Sequence, residues 1–152
     1  MSIETFKQAD GRIVIASDSA DTIGHVKGFV LDASGRQIEA IHIDGRGKRA
    51  SVVDWSTLTS FGVDAVMVAS KSDCATVVDD HQRLAVVGDV TMVGARVLGV
   101  DGRGDGKVVD AEFDTETGAI VRVITDHGSI DADRVRSLGS YALVVGTEEA
   151  PA

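Results

Sequence analysis

The segment that comes closest to a known chemical motif is the twelve-residue stretch from Asp101 to Glu112, which partly follows a calcium-binding loop. Acidic residues stand at its first, fifth and twelfth positions and a glycine at its sixth, as oxygen ligation and a sharp turn require. Arg103, however, places a cation at the third position, where a carboxylate ligand is needed. The flanking residues favour strands over the two helices of an EF-hand. We therefore expect a solvated turn, and we assign no metal or cofactor to the chain.

The histidines and the cysteine form no recognisable catalytic or zinc-binding pattern. They are His25, His42, His81, His127 and the single cysteine, Cys74. None lies at a zinc-ligand spacing, and neighbours such as Asp126 and His127 point to opposite faces of an extended strand. His42 alternates with isoleucines, which indicates a position in the wall of a sheet. The sequence thus predicts no catalytic residue and a non-enzymatic protein, with Cys74 as a bystander thiol.

The segment Gly45–Arg49 is the one cluster of basic residues, with three cations in five positions. At a hairpin tip such a cluster can contact phosphate, and this is the best argument for RNA binding. It contains no aromatic side chain on which a base would stack, and the whole chain has only six. We expect a solvated loop tip, with RNA contact as the alternative.

Length and charge exclude several classes of partner. The chain has 152 residues and a formal net charge of −9, which indicates one compact domain or two very small ones. An acidic surface repels nucleic acid and anionic membranes, so we expect a basic protein partner. No apolar run approaches the roughly 20 residues of a membrane-spanning helix, and the first residues show no signal-peptide pattern. We therefore expect no membrane insertion and a cytoplasmic location.

The elements that must position these residues are short strands. Val, Ile and Thr account for 43 of the 152 residues, and β-branched side chains pack well on a pleated sheet. Short apolar stretches end at Gly, Asp or Ser, as strands bounded by turns do. No long stretch has helical periodicity. The sequence predicts an all-β fold.

The chain also contains two copies of one pattern, with insertions only in the turns. The matching segments are Ile23–Asp32 and Asp105–Asp114 at an offset of 82 residues, Gly35–Ile41 and Gly118–Ile124 at 83, and Ser60–Gly62 and Ser137–Gly139 at 77. Chance similarity would not confine its gaps to turns, where added residues cost little. We infer an internal duplication of one β unit.

Repeat 1 covers residues 6–70, repeat 2 covers residues 84–146, and residues 71–83 form the linker. Closing a small sheet into a barrel removes unpaired edges, so we expect two small β-barrels in tandem, each with its own interior. A unit of this size buries only about 60% of the surface its unfolded chain exposes. The two repeats should therefore pack on each other, or the chain should form a homodimer.

Several short motifs in the two repeats follow a known family pattern. They are Gly94–Val97, Gly106–Asp110 and Phe113–Asp114 in repeat 2, and Asp54–Leu58 and Ser60–Val66 in repeat 1. Together they resemble the PRC-barrel family, although Asp54 stands where proline is usual and repeat 2 lacks the tryptophan. The resemblance implies small PRC-barrel-like β-barrels and a role in docking onto a larger assembly.

Five residues are candidates for protein binding: Trp55, Asp110, Glu112, Asp114 and Glu116. The favoured interpretation of Trp55 is a plug of the barrel; the alternative is a contact anchor, because tryptophan is enriched at interface hot spots. The four acids follow one another along one strand and hairpin. Residues 84–152 have a net charge of −6, against −2 for residues 1–70. This imbalance favours repeat 2 as the docking surface.

These observations lead us to expect a non-catalytic adaptor that docks a basic protein partner through an acidic face. Two alternatives stay open. The first is an RNA-processing or ribosome-assembly factor, since a ribosome maturation factor has a barrel of the family that this chain resembles. The second is a small-ligand or metal-responsive module that uses a cleft between the repeats.

Overall fold

The N-terminal segment folds into one strand and one short helix. The computed structural model describes residues 2–44, 51–76 and 91–146. Strand β1 (Ile3–Thr5) leads directly into helix α1 (Phe6–Ala9). The Thr5 hydroxyl accepts the Gln8 N–H, and the Gln8 side-chain oxygen accepts the Thr5 N–H in return. This reciprocal cap satisfies backbone donors that a helix N-terminus leaves unpaired.

Repeat 1 and the start of the linker build one sheet of seven strands. They are β2 (Ile13–Ala16), β3 (Asp21–Leu31), β4 (Ile38–Asp44), β5 (Ser51–Asp54), β6 (Leu58–Phe61), β7 (Val66–Val68) and β8 (Ala75–Thr76). Their spatial order is β6-β7-β2-β3-β4-β5-β8. All neighbouring pairs are antiparallel except β2 and β7. Within the described residues, β6 is an edge strand of this sheet and pairs with β7 alone.

Repeat 2 builds a second sheet of seven strands, one of which comes from the N-terminus. Its own strands are β9 (Arg96–Gly99), β10 (Gly104–Asp114), β11 (Ile120–Thr125), β12 (Gly128–Asp131), β13 (Val135–Leu138) and β14 (Leu143–Val145). Their order is β12-β11-β10-β9-β14-β13, and β1 pairs with β10. Besides α1, the described helical turns are three short 3₁₀ segments, at Trp55–Thr57, Lys71–Asp73 and Ala132–Arg134. The predicted all-β class is confirmed.

The strand pairings bear out the duplication. Among the described strands, the first strand of each repeat pairs in parallel with the repeat's last strand, at Val14↔Val66 in repeat 1 and Val97↔Leu143 in repeat 2. The closing segments match as well, because the 3₁₀ turn that begins at Trp55 corresponds to the one that begins at Ala132. Trp55 and Ala132, like Val66 and Leu143, differ by the predicted 77 residues, so the change of offset falls between Asp44 and Ser51 in repeat 1.

One of the predicted offsets is wrong. The hairpin register pairs Leu31 with Ile38 in repeat 1 and Phe113 with Ile120 in repeat 2. The two members of each pair are seven residues apart, so the hairpins are equally long and the offset of 82 continues through them. The glycines at positive φ, Gly35 and Gly118, occupy adjacent positions of two equally long turns. Aligning one glycine with the other therefore produced an insertion that the chain does not contain.

Strand β1 ties the two repeats together. It precedes repeat 1 in the chain but pairs with β10 of repeat 2, with Glu4 opposite Phe113. The buried Glu4 carboxylate accepts two hydrogen bonds from the Arg12 guanidinium, at 2.6 and 2.9 Å, and Arg12 also donates to the carbonyl of Gly62. A bidentate pair of this kind is strong and directional, so β1 is held to both repeats.

The two hairpin turns add direct backbone contacts between the repeats. The N–H of Ile38 donates to the carbonyl of Gly118 at 2.9 Å, and the N–H of Ile120 donates to the carbonyl of Arg36 at 2.8 Å. Gln37 and Ala119 form a bridge beside these bonds. The expectation that the repeats pack on each other is therefore confirmed.

The repeats share one hydrophobic core. The largest cluster of buried side chains contains residues of both, from Val14 and Ile41 in repeat 1 to Phe113 and Leu143 in repeat 2. Phe113 lies 5.3 Å from Phe29 and 5.4 Å from Phe61, measured between ring centroids. The expectation of two separate interiors is wrong, because the repeats bury their aromatic side chains against each other.

A shared core predicts that the chain unfolds in one cooperative step. Urea unfolding followed by the fluorescence of Trp55, the only tryptophan, should coincide with unfolding followed by far-ultraviolet circular dichroism, which reports the strands of both repeats. Two separated transitions would show that the repeats unfold independently and would contradict this account of the core.

The contact between Gly118 and Trp55 makes a second prediction about stability. Gly118 has a φ of 76°, and a Cβ built there would lie 2.9 Å from the indole of Trp55. Gly94 is the matched control, because its φ is 91° and an added Cβ would have nothing within 4 Å. Gly94→Ala should lower the free energy of unfolding by about 1 kcal/mol through backbone strain alone. Gly118→Ala should lower the free energy of unfolding by at least about 1 kcal/mol more than Gly94→Ala does, since the side chains around Gly118 must also move. Chemical denaturation measures both values, and equal decreases for the two variants would contradict the tight contact.

Candidate functional site

Trp55 lies at the junction between the repeats. It starts the 3₁₀ turn after β5, and its half-buried indole stacks on Phe61 with centroids 5.4 Å apart. The indole also meets the ring of Phe113 edge-on at 6.2 Å and contacts Gly118 of repeat 2. Trp55 is therefore held between the two repeats by packing. This position is compatible with a plug and with an anchor for a partner.

An open cleft of about 400 Å³ lies beside this indole. One wall is the turn and edge strand from Trp55 to Phe61, and the other is the hairpin tip at Thr115 and Glu116 of repeat 2. Its lining residues are Trp55, Ser56, Leu58, Thr59, Ser60, Phe61, Thr115 and Glu116. The cleft thus joins an aromatic floor, several hydroxyl groups and one carboxylate. It brings together two of the five residues that the sequence marked for protein binding, Trp55 and Glu116.

The corresponding position on the other side of the junction is closed. There the N–H of Leu138 in β13 donates to the carbonyl of Ala33 in the hairpin turn of repeat 1, at 3.0 Å. A Cβ built on Gly35 would lie 3.1 to 3.3 Å from side-chain atoms of Leu138, Leu143 and Val135, so this turn packs directly on repeat 2.

The two sides differ because tryptophan stands at one of them and alanine at the other. Ala132 occupies the position that corresponds to Trp55, and its small side chain leaves room for the turn of repeat 1. On the open side, the backbone N–H of Thr115 donates instead to the carbonyl of Ser2, at 2.9 Å. The indole and this N-terminal contact together hold the hairpin tip of repeat 2 away from β6.

Among the described residues that line the cleft, Glu116 is negatively charged and none is a cation. Glu116 is exposed on one wall, and the exposed Asp54 and Asp64 stand just before and just after the segment that forms the other wall. Arg12 lies behind this wall, with its guanidinium carbon 5.4 Å from the Phe61 ring centroid, but Glu4 pairs with it. A cationic group is therefore favoured in the cleft.

The other three predicted acids bind to the protein's own groups. Asp110 accepts the N–H of Lys7 at 3.2 Å, and Glu112 pairs with Arg122 at 3.3 Å. Asp114 is only 7% exposed and accepts the N–H of Glu116 at 2.8 Å. Register shifts interrupt the pairing of β10 with β11 on either side of Glu112, so the simple alternation of faces does not hold along this strand. Among these acids, only Glu116 lines the cleft with Trp55.

The loop with calcium-like spacing is a turn followed by a strand. Asp101 accepts the N–H of Arg103 at 3.1 Å, and residues 104–112 lie within β10. Asp105 lies 3.3 Å from Nδ1 of His127. In the described ranges, no group of three or more His, Cys, Asp or Glu side chains has an arrangement that would hold a metal ion.

A second cleft, of about 540 Å³, lies beneath α1 and was not anticipated from the sequence. Phe6 and Phe29 stack there with centroids 4.3 Å apart, and His42 and Lys27 contribute polar groups. His42 is only 9% exposed, as its alternation with isoleucines predicts. Burial lowers the pKa of His42, the nearby Lys27 charge acts in the same direction, and Asp44 opposes them.

Among the described residues, none activates the thiol of Cys74. It follows the 3₁₀ turn Lys71–Asp73 and is half-buried. Burial raises the pKa of its thiol, and the charge of Asp73 raises that pKa further. A raised pKa reduces the thiolate fraction, as expected of a bystander thiol. The basic segment Gly45–Arg49 and His81 lie outside the described residues.

Comparison with known proteins gives no assignment, since neither a family model nor a curated protein matches the chain. The resemblance to the PRC-barrel family therefore stays a prediction. Within residues 2–44, 51–76 and 91–146, no helix has the length and apolarity needed to cross a membrane.

The environment of His42 predicts a loss of stability in acid. Because its pKa in the folded chain is below the unfolded value of 6.5, the unfolded chain binds a proton more readily. The stabilisation that comes from a neutral His42 should therefore be fully present well above pH 6.5. The free energy of unfolding should fall as the pH drops through 6.5 toward the pKa of His42 in the folded chain. Urea midpoints measured across this range should fall less steeply for His42→Gln than for the wild type. His127→Gln, which removes an exposed imidazole, is the control; an unchanged slope in His42→Gln would contradict the assignment.

Proposed function

We propose that this protein is a non-catalytic assembly adaptor that docks a basic segment of a protein partner at the cleft between Trp55 and Glu116. The cleft itself carries this proposal, because it combines a packed aromatic side chain, the edge strand β6 and the carboxylate of Glu116, with the exposed Asp54 and Asp64 nearby in the chain. Aromatic anchors held in place by packing are the usual centres of binding energy at protein interfaces. The PRC-barrel resemblance supports the same role, as does the predicted location in the cytoplasm.

Charge supports a basic partner. The net charge of −9 attracts a cationic protein over distances of about one Debye length, roughly 8 Å at physiological salt. The docking surface proposed here differs from the acidic strand expected from the sequence, because Glu116 lines the cleft and Asp110, Glu112 and Asp114 do not. The acidic face that we propose instead consists of Glu116, Asp54 and Asp64.

The rigidity of the site also favours docking over catalysis. Trp55 and Phe61 are fixed by contacts with Phe113 of the shared core, so little conformational entropy is lost when a partner covers them. The lining hydroxyls of Ser56, Thr59, Ser60 and Thr115 can donate and accept hydrogen bonds, and no histidine is among the described residues that line the cleft. Such a surface suits recognition of a polypeptide.

Neutralising the cleft should slow association with the partner. The partner is first recovered with the full chain from native cytosol at low salt and then purified. The triple variant Asp54→Asn, Asp64→Asn, Glu116→Gln should lower its association rate roughly tenfold at low ionic strength and flatten the salt dependence. The control is Asp18→Asn, Asp21→Asn, Asp133→Asn, which removes three exposed carboxylates outside the cleft. Equal association rates for the two triple variants would place docking elsewhere, and the absence of any basic partner would contradict the adaptor function.

A further inference from the structure

The edge strand β6 forms part of the lining of the cleft. In the first sheet β6 pairs with β7 on one side, and its other side borders the cleft. An unpaired strand edge offers a row of N–H and C=O groups to which another extended chain can add. Within the described residues, no strand of either sheet pairs with this side of β6.

The other repeat shows how the equivalent edge is used. The N–H of Leu138 in β13 donates to the carbonyl of Ala33 at 3.0 Å, and Ala33 belongs to the opposite repeat. Phe61 pairs with Val66 as Leu138 pairs with Leu143, so its N–H points to the same side of its strand. In the described part of the chain, no carbonyl of the second hairpin turn accepts the N–H of Phe61. The cleft thus lies where the closed side has the hairpin turn of repeat 1.

We propose that the partner binds by β-strand addition: an extended, basic segment pairs with β6, and one of its carbonyls accepts the N–H of Phe61. This inference rests on the proposed function and names the mode of recognition at the same cleft. Main-chain hydrogen bonds supply affinity in this mode, and pockets for alternate side chains supply specificity. Ala33 is the internal model for the partner's carbonyl.

The cleft also indicates which side chains the segment carries. Successive side chains of a strand point to opposite faces, so every second residue of the segment faces the indole of Trp55. A Lys or Arg at such a position can pack its aliphatic stem against the exposed part of the half-buried indole. It also approaches the carboxylate of Glu116 across the cleft. We therefore infer a segment with basic residues at alternate positions.

Charge argues against a second copy of this chain as the occupant. Two β6 edges that paired with each other would bring together two sets of Asp54, Asp64 and Glu116. Like charges brought face to face at an interface disfavour that partner. The same three carboxylates attract a cationic segment electrostatically.

The test uses the ¹⁵N-labelled full chain and a synthetic peptide, acetyl-Thr-Lys-Val-Lys-Val-Lys-Thr-amide, at up to millimolar concentration. At ten times its Kd, measured from Trp55 fluorescence, the peptide should slow hydrogen exchange of the Phe61 amide about tenfold. Methylating the backbone nitrogens that face β6 should abolish binding, whereas methylating the alternate nitrogens should not. The acidic counterpart, with Glu in place of each Lys, should not bind. Glu116→Gln should weaken binding, and Asp133→Asn should leave it unchanged.

Several results would overturn strand addition. If the basic peptide binds with no protection of Phe61 and no effect of methylation, the partner docks at the cleft in another way and the adaptor function stands. Because main-chain bonding depends little on sequence, a failure of the peptide to bind at millimolar concentration also overturns the proposal, even where the captured partner binds. Protection of Phe61 without peptide, together with a dimer in analytical ultracentrifugation, would identify β6 as a contact between copies of the chain.

Discussion

The structure depends on one cluster of aromatic side chains that the two repeats build together. All four phenylalanines and the only tryptophan of the chain meet there: Phe6, Phe29, Trp55 and Phe61 from repeat 1, and Phe113 from repeat 2. Burying one such side chain contributes about 1.5 to 3 kcal/mol, and each well-oriented ring pair adds about 0.5 to 1.5 kcal/mol. A single small repeat cannot bury this much apolar surface alone, so the two are interdependent.

The same cluster makes the two sides of the junction unequal. Trp55 occupies the place that Ala132 occupies in repeat 2, and its larger ring packs on Gly118. The turn of repeat 1 closes on Leu138, whereas the turn of repeat 2 stands off from Phe61. A duplicated chain has thereby acquired one closed edge and one open edge. The open edge is the surface that we connect with binding.

The arrangement of the four acids in the structure differs from the arrangement that their spacing in the sequence predicts. Asp110, Glu112, Asp114 and Glu116 alternate along the chain, which suggests one face of a regular strand. The register shifts in β10 break that regularity, and Arg122, which pairs with Glu112, comes from the neighbouring strand. Neither a bulge nor a cross-strand partner can be read from charge spacing alone. Trp55 and Glu116 were identified, but their proximity was not.

The sequence by itself determined the all-β class, the duplication and the positions of most turns, because these follow from local properties: β-branched residues favour strands, and glycines permit positive φ at turns such as those of Gly35 and Gly118. Only the tertiary structure decided that β1 crosses to repeat 2, that one core serves both repeats and that β6 faces an open cleft. These features depend on contacts between residues far apart in sequence, such as Glu4 with Phe113 and Trp55 with Gly118. Local patterns specify which residues are buried, and long-range packing specifies which buried residues meet.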